Sequence, residues 1–430
     1  MLDIKLIRQN PDQLREALEK RNSSFDLEGF LALDKERRKL IAVIEELSAA
    51  QNKIDREVKA LLKEKKDPKP KIEEAKGIKK NLAELSKKFE VLNISFLSDQ
   101  DKIPNIPHSS LPIGGTSKNK IIKESGKVRK FKFKPQDHIA LAENLDIIDF
   151  KRAAKITGSN FTLFKGMGAK LKRALINFML DIQSNKNGYK EVSPPKIVNA
   201  VSMRATGQLP NLKDDMYDLG GNDPKGARGD FYLIPTAEVP ITNIHREEIL
   251  NEKDLPIKYA SYTPCFRREA GSYGKDTRGL VRVHEFDKIE LVKFAKPEDS
   301  YDELEKLLKD ACHIIELLKI PYRILLLATG DISFAAAKCY DIEIYAAGLD
   351  KWLEVSSCSN FEDFQARRGN IRYRAKSDQK LKFVHTLNGS GVALPRLIVA
   401  ILENYQEKDG TVTVPKVLRK YLNGRKRITK

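Results

Sequence analysis

The chain has 430 residues, 41% hydrophobic and 32% charged, which is enough for more than one core and excludes both a mini-protein and a disordered tail. Lysine and arginine total 78 against 60 acidic residues, a formal net charge of +18, which favours a polyanionic partner and serves solubility equally well. No run approaches the ~18 apolar residues of a membrane span, and the opening stretch MLDIKLIRQNPDQLREAL is charged where a signal peptide needs an apolar core, so a cytoplasmic protein with no membrane contact is expected. Cys265, Cys312, Cys339 and Cys358 form no CxxC pair and lie at no zinc-finger spacing from the histidines, so neither a disulfide framework nor a structural zinc is expected.

Leu33, Leu40, Leu47, Ile54 and Leu61 repeat every seven residues, with Ile44 and Val58 filling the alternate seam. Ile78, Leu82, Leu85, Phe89, Leu92 and Phe96 repeat in steps of four and three. Between them KEKKDPKPK, residues 63 to 71, holds Pro68 and Pro70, which bar a continuous helix. The pattern predicts two helices folded back as an antiparallel coiled-coil hairpin, each arm on the order of 45 Å long. The tip is rich in lysine, including Lys63, Lys65, Lys66, Lys69 and Lys71, and reads either as a solvated end or as a contact for nucleic-acid phosphates.

A loop-rich join, KIPNIPHSSLPIGGTSKNK, places a domain boundary near residues 103 to 115, giving an N-terminal domain of residues 1–105 and a body of residues 106–430. After a basic stretch, KVRKFKFKPQDH, a helical pattern at residues 169 to 187 mixes with strand-like runs DFYLIPT, HEFDKIELVKF and YDIEIYAA. The body reads as α+β with an antiparallel sheet, and the basic tail GRKRITK as a frayed end.

Residues 262 to 294, YTPCFRREAGSYGKDTRGLVRVHEFDKIELVKF, read as strand, polar loop and strand. Arg267 and Glu269, two apart, would share one face of the first strand, and Arg282, Phe286 and Glu290 would lie on the second. An exposed salt-bridged face is the ordinary reading of such a pair. Gly271, Gly274 and Gly279 among cations, and an aromatic amid the charges, point instead to a nucleotide. GSYGKDT, with Tyr273 and Lys275, only superficially resembles a phosphate loop, whose glycines stand further apart. IPTAEVP offers Thr236 and Glu238. KWLEVSSCSNFEDFQARR offers Glu354, Ser356, Ser357 and Asn360, oxygen donors suited to magnesium, although on this segment alone a strand end with turn-forming serines is the better reading. HTLNGSGVALPRLIVAILENYQ reads as a strand end, a Gly-Ser-Gly turn and an apolar helix carrying Arg396, a lone arginine that by itself reads equally as an exposed side chain.

Together these segments resemble the three signature motifs of class II aminoacyl-tRNA synthetases, specifically those of the bacterial-type seryl-tRNA synthetase family, over nearly the whole chain. NGYKEVSPP, residues 187 to 195, resembles the first motif, FRREAG to HEF the second, and NGSGVALPR the third; ATGQLPN, EVSSCSN, DFQARR and the hairpin narrow the match to the seryl branch. Phe361-Glu362 stand where the family usually has Cys-Thr, and Leu394-Pro395 precede the arginine where other residues are common.

The resemblance implies a class II antiparallel sheet flanked by helices, a homodimer built on the first motif, and serine activation with ATP and magnesium. It implies further that Arg267 bridges the α-phosphate and the serine carboxylate, Glu269 accepts from adenine, Phe286 stacks on it, and Arg282 and Arg396 reach the remaining phosphates. Arg268, Val283, Val355 and Ser356 complete the ATP set, and Glu354 and Ser357 hold the magnesium. Serine would be read by Thr236, Ala237, Glu238, Arg267, Glu290, Asn388 and Ser390. The hairpin and its lysines would hold tRNA(Ser), and tRNA(Sec) where the organism makes it. Cys358 reads as a packed thiol and His284 as structural. Three other readings stay in view: a catalytically dead paralogue, a ligase loading carrier proteins, and a purely structural coiled coil.

Overall fold

The computed structural model describes residues 1–222, 230–270 and 278–430. Gly271, Tyr273, Gly274 and Lys275 lie outside the described residues. The chain divides into two compact units, one of residues 4–18 and 23–103, the other of residues 1–3, 19–22 and 104–430.

In the first unit α1 (Leu27–Lys63) and α2 (Lys69–Gln100) pair along their length. Asp26 caps α1 by accepting from the Gly29 N–H. Lys63 ends the first helix and Lys69 begins the second, with Pro70 in the opening turn, where its missing N–H has no intrahelical partner to lose. Their 37 and 32 residues make rods of roughly 55 and 48 Å at ~1.5 Å per residue. The heptad residues are buried or half-buried, as a thin two-helix seam requires. Glu57 meets Lys71 at 3.0 Å and Glu36 meets Lys88 at 3.3 Å, so the arms run antiparallel. At the base Phe30 stacks on Phe96 at 5.2 Å and the Arg37 guanidinium covers Phe96 at 4.6 Å.

The second unit is built on a sheet which, among the described residues, has eight strands: β1 (Lys120–Ser125), β2 (Lys190–Glu191), β3 (Ile257–Phe266), β4 (Glu285–Ala295), β5 (Tyr322–Leu326), β6 (Lys338–Ala346), β7 (Lys351–Asn360) and β8 (His385–Ala393). Their order is β1-β5-β6-β7-β8-β4-β3-β2, antiparallel throughout except for the short parallel pair of β2 with β3. Helices α3 (Gly166–Asn185), α4 (Ser300–Leu318) and α5 (Leu394–Asn404) bury apolar stripes in the core against it, among them Leu171, Leu175, Leu304, Leu307, Ala311, Leu397 and Ile401. Each fully buried leucine contributes ~1.5–3 kcal/mol of transfer free energy.

Four expectations change. Arg267 and Glu269 lie beyond β3, because the chain leaves the sheet at Phe266: the N–H groups of Arg268 and Ala270 donate to Asp215, at 2.9 Å each, and Glu269 takes a left-handed φ of 50°. Arg282 precedes β4, since the His284 N–H is taken by the Asn160 carbonyl. Gly389-Ser390-Gly391 is not a turn but part of β8, where a Cβ on Gly389 would stand 2.3 Å from Leu307 Cδ2; the glycine lets α4 pack on the sheet. The tail is not frayed, for Arg427–Ile428 pairs with Val412–Thr413 and Ile428 is buried.

Candidate active site

A cavity of about 890 Å³ opens on one face of the sheet. On its nucleotide side Arg267 donates from Nε to the Pro235 carbonyl at 3.2 Å, leaving its two terminal nitrogens without a protein partner among the described residues, and its guanidinium covers the Phe286 ring at 5.1 Å. Glu269 pairs with Arg282 at 3.0 Å, and Val283 lines the wall beside them. Arg396, in the first turn of α5, donates from Nε to the Val281 carbonyl at 3.1 Å and from Nη1 to the Glu354 carbonyl at 2.8 Å, so the helix start and two backbone oxygens fix its direction. A second cavity of about 350 Å³ shares Arg282, Glu354 and Arg396. Arg268 is not among the lining residues described.

Strand β7 carries Glu354, Val355 and Ser357 to the cavity, while Ser356 is buried and donates to the Ser390 carbonyl at 2.6 Å. The Ser357 hydroxyl stands between two carboxylates, 2.5 Å from Asp341 Oδ1 on β6 and 3.3 Å from Glu354 Oε1. Burial, and then the charge of Glu354, push the Asp341 carboxyl up to about 8. Hard oxygen donors crowded until one carboxyl resists ionising suit a small divalent cation. The sequence reading missed Asp341, although it stands in the quoted run YDIEIYAA at a position that alternates onto this face.

On the amino-acid side Thr236, Glu238, Asn388 and Ser390 line the cavity; Ala237 and Glu290 are fully buried and are not among the lining residues. Burial first, then the Glu290 charge, raise the Glu238 carboxyl to about 7. Gln365 donates to Glu238 Oε1 at 2.6 Å and accepts from Thr386 at 2.8 Å, so this unassigned residue of the DFQARR run orients the carboxyl. ATGQLPN reaches the same cavity with Thr206, Gly207 and Gln208. Gly207 ends its helix at φ 92°, a conformation other residues resist.

Cys358 is buried, burial pushes its thiol up, and it is a poor nucleophile. His284 bonds the Arg267 carbonyl from Nδ1 at 3.0 Å and packs on Phe161. In the helical arm, Lys66 pairs with Glu64 and Lys71 with Glu57 and Glu74, whereas Lys63, Lys65 and Lys69 carry no ion pair among the described residues. No described helix is long and apolar enough to cross a membrane.

Residues 223–405 match the family described as tRNA synthetase class II core domain (G, H, P, S and T), so the sheet and its cavity are those of a class II synthetase core. Residues 1–107 match the seryl-tRNA synthetase N-terminal domain. The chain is 53% identical over 426 residues to a serine–tRNA ligase of Thermodesulfovibrio yellowstonii, covering 98% of this chain and 99% of the relative. It is 50% identical to that of Acetivibrio thermocellus, over 99% of each. The crystal structure of seryl-tRNA synthetase from Pyrococcus horikoshii complexed with ATP superposes with a TM-score of 0.89 at 39% identity, covering 100% of this chain and 99% of that one. The chain belongs to the seryl-tRNA synthetase family.

Proposed function

We propose that the chain activates L-serine with ATP and transfers the seryl group to tRNA(Ser). What carries the reading is the convergence on one cavity of arginine nitrogens without a partner among the described residues, an aromatic face and a cluster of buried polar side chains.

In the first step a serine carboxylate oxygen attacks the α-phosphorus, the bond to the bridging oxygen breaks, and pyrophosphate leaves. Two anions must meet, so the chain's task is charge compensation and positioning. The terminal nitrogens of Arg267 suit the α-phosphate and the serine carboxylate, and a planar fork binds either bidentately. Phe286 offers its face to adenine and Glu269 an acceptor for the adenine amino group. Arg396 and Arg282 face the far phosphates. Glu354 and Ser357, with Asp341 behind them, would hold a magnesium ion, which when bound neutralises phosphate charge. In the second step a ribose hydroxyl at the tRNA end attacks the adenylate carbonyl and AMP leaves, and neither step needs a protein nucleophile.

Thr236, Glu238 and the Asn388–Ser390 strand take the serine, with Glu290 buried behind them. Threonine is excluded by crowding, worth ~1–3 kcal/mol. Residues 1–105 serve as the tRNA-binding domain and 106–430 as the catalytic domain. Lys63, Lys65 and Lys69 are better placed for tRNA phosphates than the paired Lys66 and Lys71. Two copies associate through the segment around Pro195, the enzyme works in the cytoplasm, and tRNA(Sec), where present, is a second acceptor. Serine-dependent exchange of pyrophosphate into ATP tests the reading. Exchange with serine and not with alanine is expected, and absence of exchange with any amino acid would leave a catalytically dead paralogue.

A further inference from the structure

Residues 286, 288 and 290 alternate along β4 and so share one face of the sheet. Two of them, Phe286 and Lys288, line the cavity, while Glu290 is fully buried. Lys288 is unusual there, a lysine whose side chain is only 6% exposed. Its Nζ stands 2.5 Å from Glu290 Oε2 and donates to Thr236 Oγ1 at 2.7 Å. The Thr236 hydroxyl in turn donates to Glu290 Oε2 at 3.0 Å, and Asn388 Nδ2 donates to Glu290 Oε1 at 3.1 Å.

Hydrogen-bond direction follows from chemistry. An ammonium only donates, so the Thr236 oxygen accepts from Lys288 and sends its own proton to Glu290. Both Glu290 oxygens are thereby engaged. The ammonium has three N–H groups, two are committed, and no described protein group takes the third. A buried charged donor left unpaired is costly, and the cavity is the open side of this one.

We propose that Lys288 determines specificity for a hydroxylated amino acid: two of its N–H groups lock Glu290 and Thr236, and the third donates to the side-chain hydroxyl oxygen of the substrate. Alanine, with a methyl there, leaves that donor unpaired, and a site of this kind rejects such analogues by up to ~10⁴–10⁵. The inference rests on the reading that this cavity takes the amino acid to be activated.

The experiment compares pyrophosphate exchange with serine and with alanine in the full chain and in Lys288→Met and Lys288→Gln, with ATP affinity and thermal midpoint measured on each to confirm folding. In Lys288→Met the serine-to-alanine ratio of kcat/KM should collapse by at least about 100-fold. Lys288→Gln, which keeps a donor and loses the charge, should recover at least about tenfold of that ratio. A ratio preserved in Lys288→Met would overturn the proposal, whatever the absolute rates. Equal ratios in the Met and Gln variants would also overturn it, because Lys288 would then serve only to neutralise Glu290. If Lys288→Met does not fold, Lys288→Ala, which also lacks the donor, replaces it: a preserved ratio overturns the proposal, and a collapse restored in part or in full by Lys288→Gln upholds it. Absence of serine-dependent exchange in the unaltered chain would instead remove the function on which the inference stands.

Discussion

The Arg267 guanidinium lies over the Phe286 ring, 5.1 Å from its centroid, where the end of β3 pairs with the start of β4 beside the cavity. The aromatic therefore supports the arginine with one face while its surroundings remain open to the cavity. Replacing it removes a stacking surface and the rest on which Arg267 lies. Phe286→Ala should raise the ATP KM by about 10–100-fold, the equivalent of ~1–3 kcal/mol of base stacking. Steady-state exchange kinetics at varied ATP check this, and an unchanged KM would remove Phe286 from the nucleotide site.

Glu269 holds a left-handed φ of 50° and pairs with Arg282 at 3.0 Å, a strained position stabilised from both sides by its neighbours. An acceptor aimed at an exocyclic amino group distinguishes adenine from a 6-oxo purine. Glu269→Ala should weaken ATP use about tenfold and lower the preference for ATP over ITP, because the loss falls on ATP alone. Equal losses with both nucleotides would show that the carboxylate only braces Arg282.

Glu238 titrates near 7 instead of its ordinary 4.5. A carboxyl whose folded value is raised keeps a proton that the unfolded chain has already lost, so this group lowers stability as pH climbs from about 4.5 to about 7, by roughly 3 kcal/mol at most. Glu238→Gln should therefore gain stability over the parent chain across that window, although it loses serine activation. Urea unfolding at pH 5 and pH 7.5 measures the difference, and a gap that does not widen with pH would mean Glu238 ionises normally.

Gly389 faces Leu307 Cδ2 and Cys358 Sγ, which an added Cβ would approach to 2.3 and 2.9 Å. Both neighbours are fully buried, so neither gives easily. Gly389→Ala should destabilise by about 1–3 kcal/mol, seen as a lower thermal midpoint, whereas Gly115→Ala, with nothing within 4 Å of its added Cβ and a negative φ, should leave the midpoint nearly unchanged.

Deleting residues 34 to 95 takes away the paired helices and leaves the whole cavity lining in the chain. Such a variant should retain serine-dependent exchange and lose tRNA charging by at least about 100-fold, since the phosphate contacts go with the arm. Charging equal to that of the full chain would remove the arm from tRNA recognition.

Much of this was legible in the sequence because periodicity records burial. The repeat from Leu33 to Leu61 shows directly as the half-buried seam of α1, and the apolar steps after Ile78 as that of α2. The clustering of Arg267, Phe286, Glu354 and Arg396 followed from motif resemblance, not from spacing, for these residues are up to 129 positions apart and only the sheet brings them to one cavity. The limits of β3 and β4 were misread because Asp215 and Asn160 compete for backbone N–H groups from distant parts of the chain. Gly389-Ser390-Gly391 looked like a turn because glycine also marks close packing. Lys288, Asp341 and Gln365 escaped notice for one shared reason: each is a polar residue inside an apolar or motif-rich run, and nothing but the three-dimensional partners, Glu290, Ser357 and Glu238, reveals what it orients.

The most direct test of the central claim is charging of total tRNA with labelled serine by the full chain in ATP and magnesium, read as acid-precipitable counts. Serine-specific counts that disappear on mild alkaline hydrolysis of the ester are expected. Robust serine-dependent pyrophosphate exchange with no label on tRNA would contradict the account, for the cavity would then load a different acceptor.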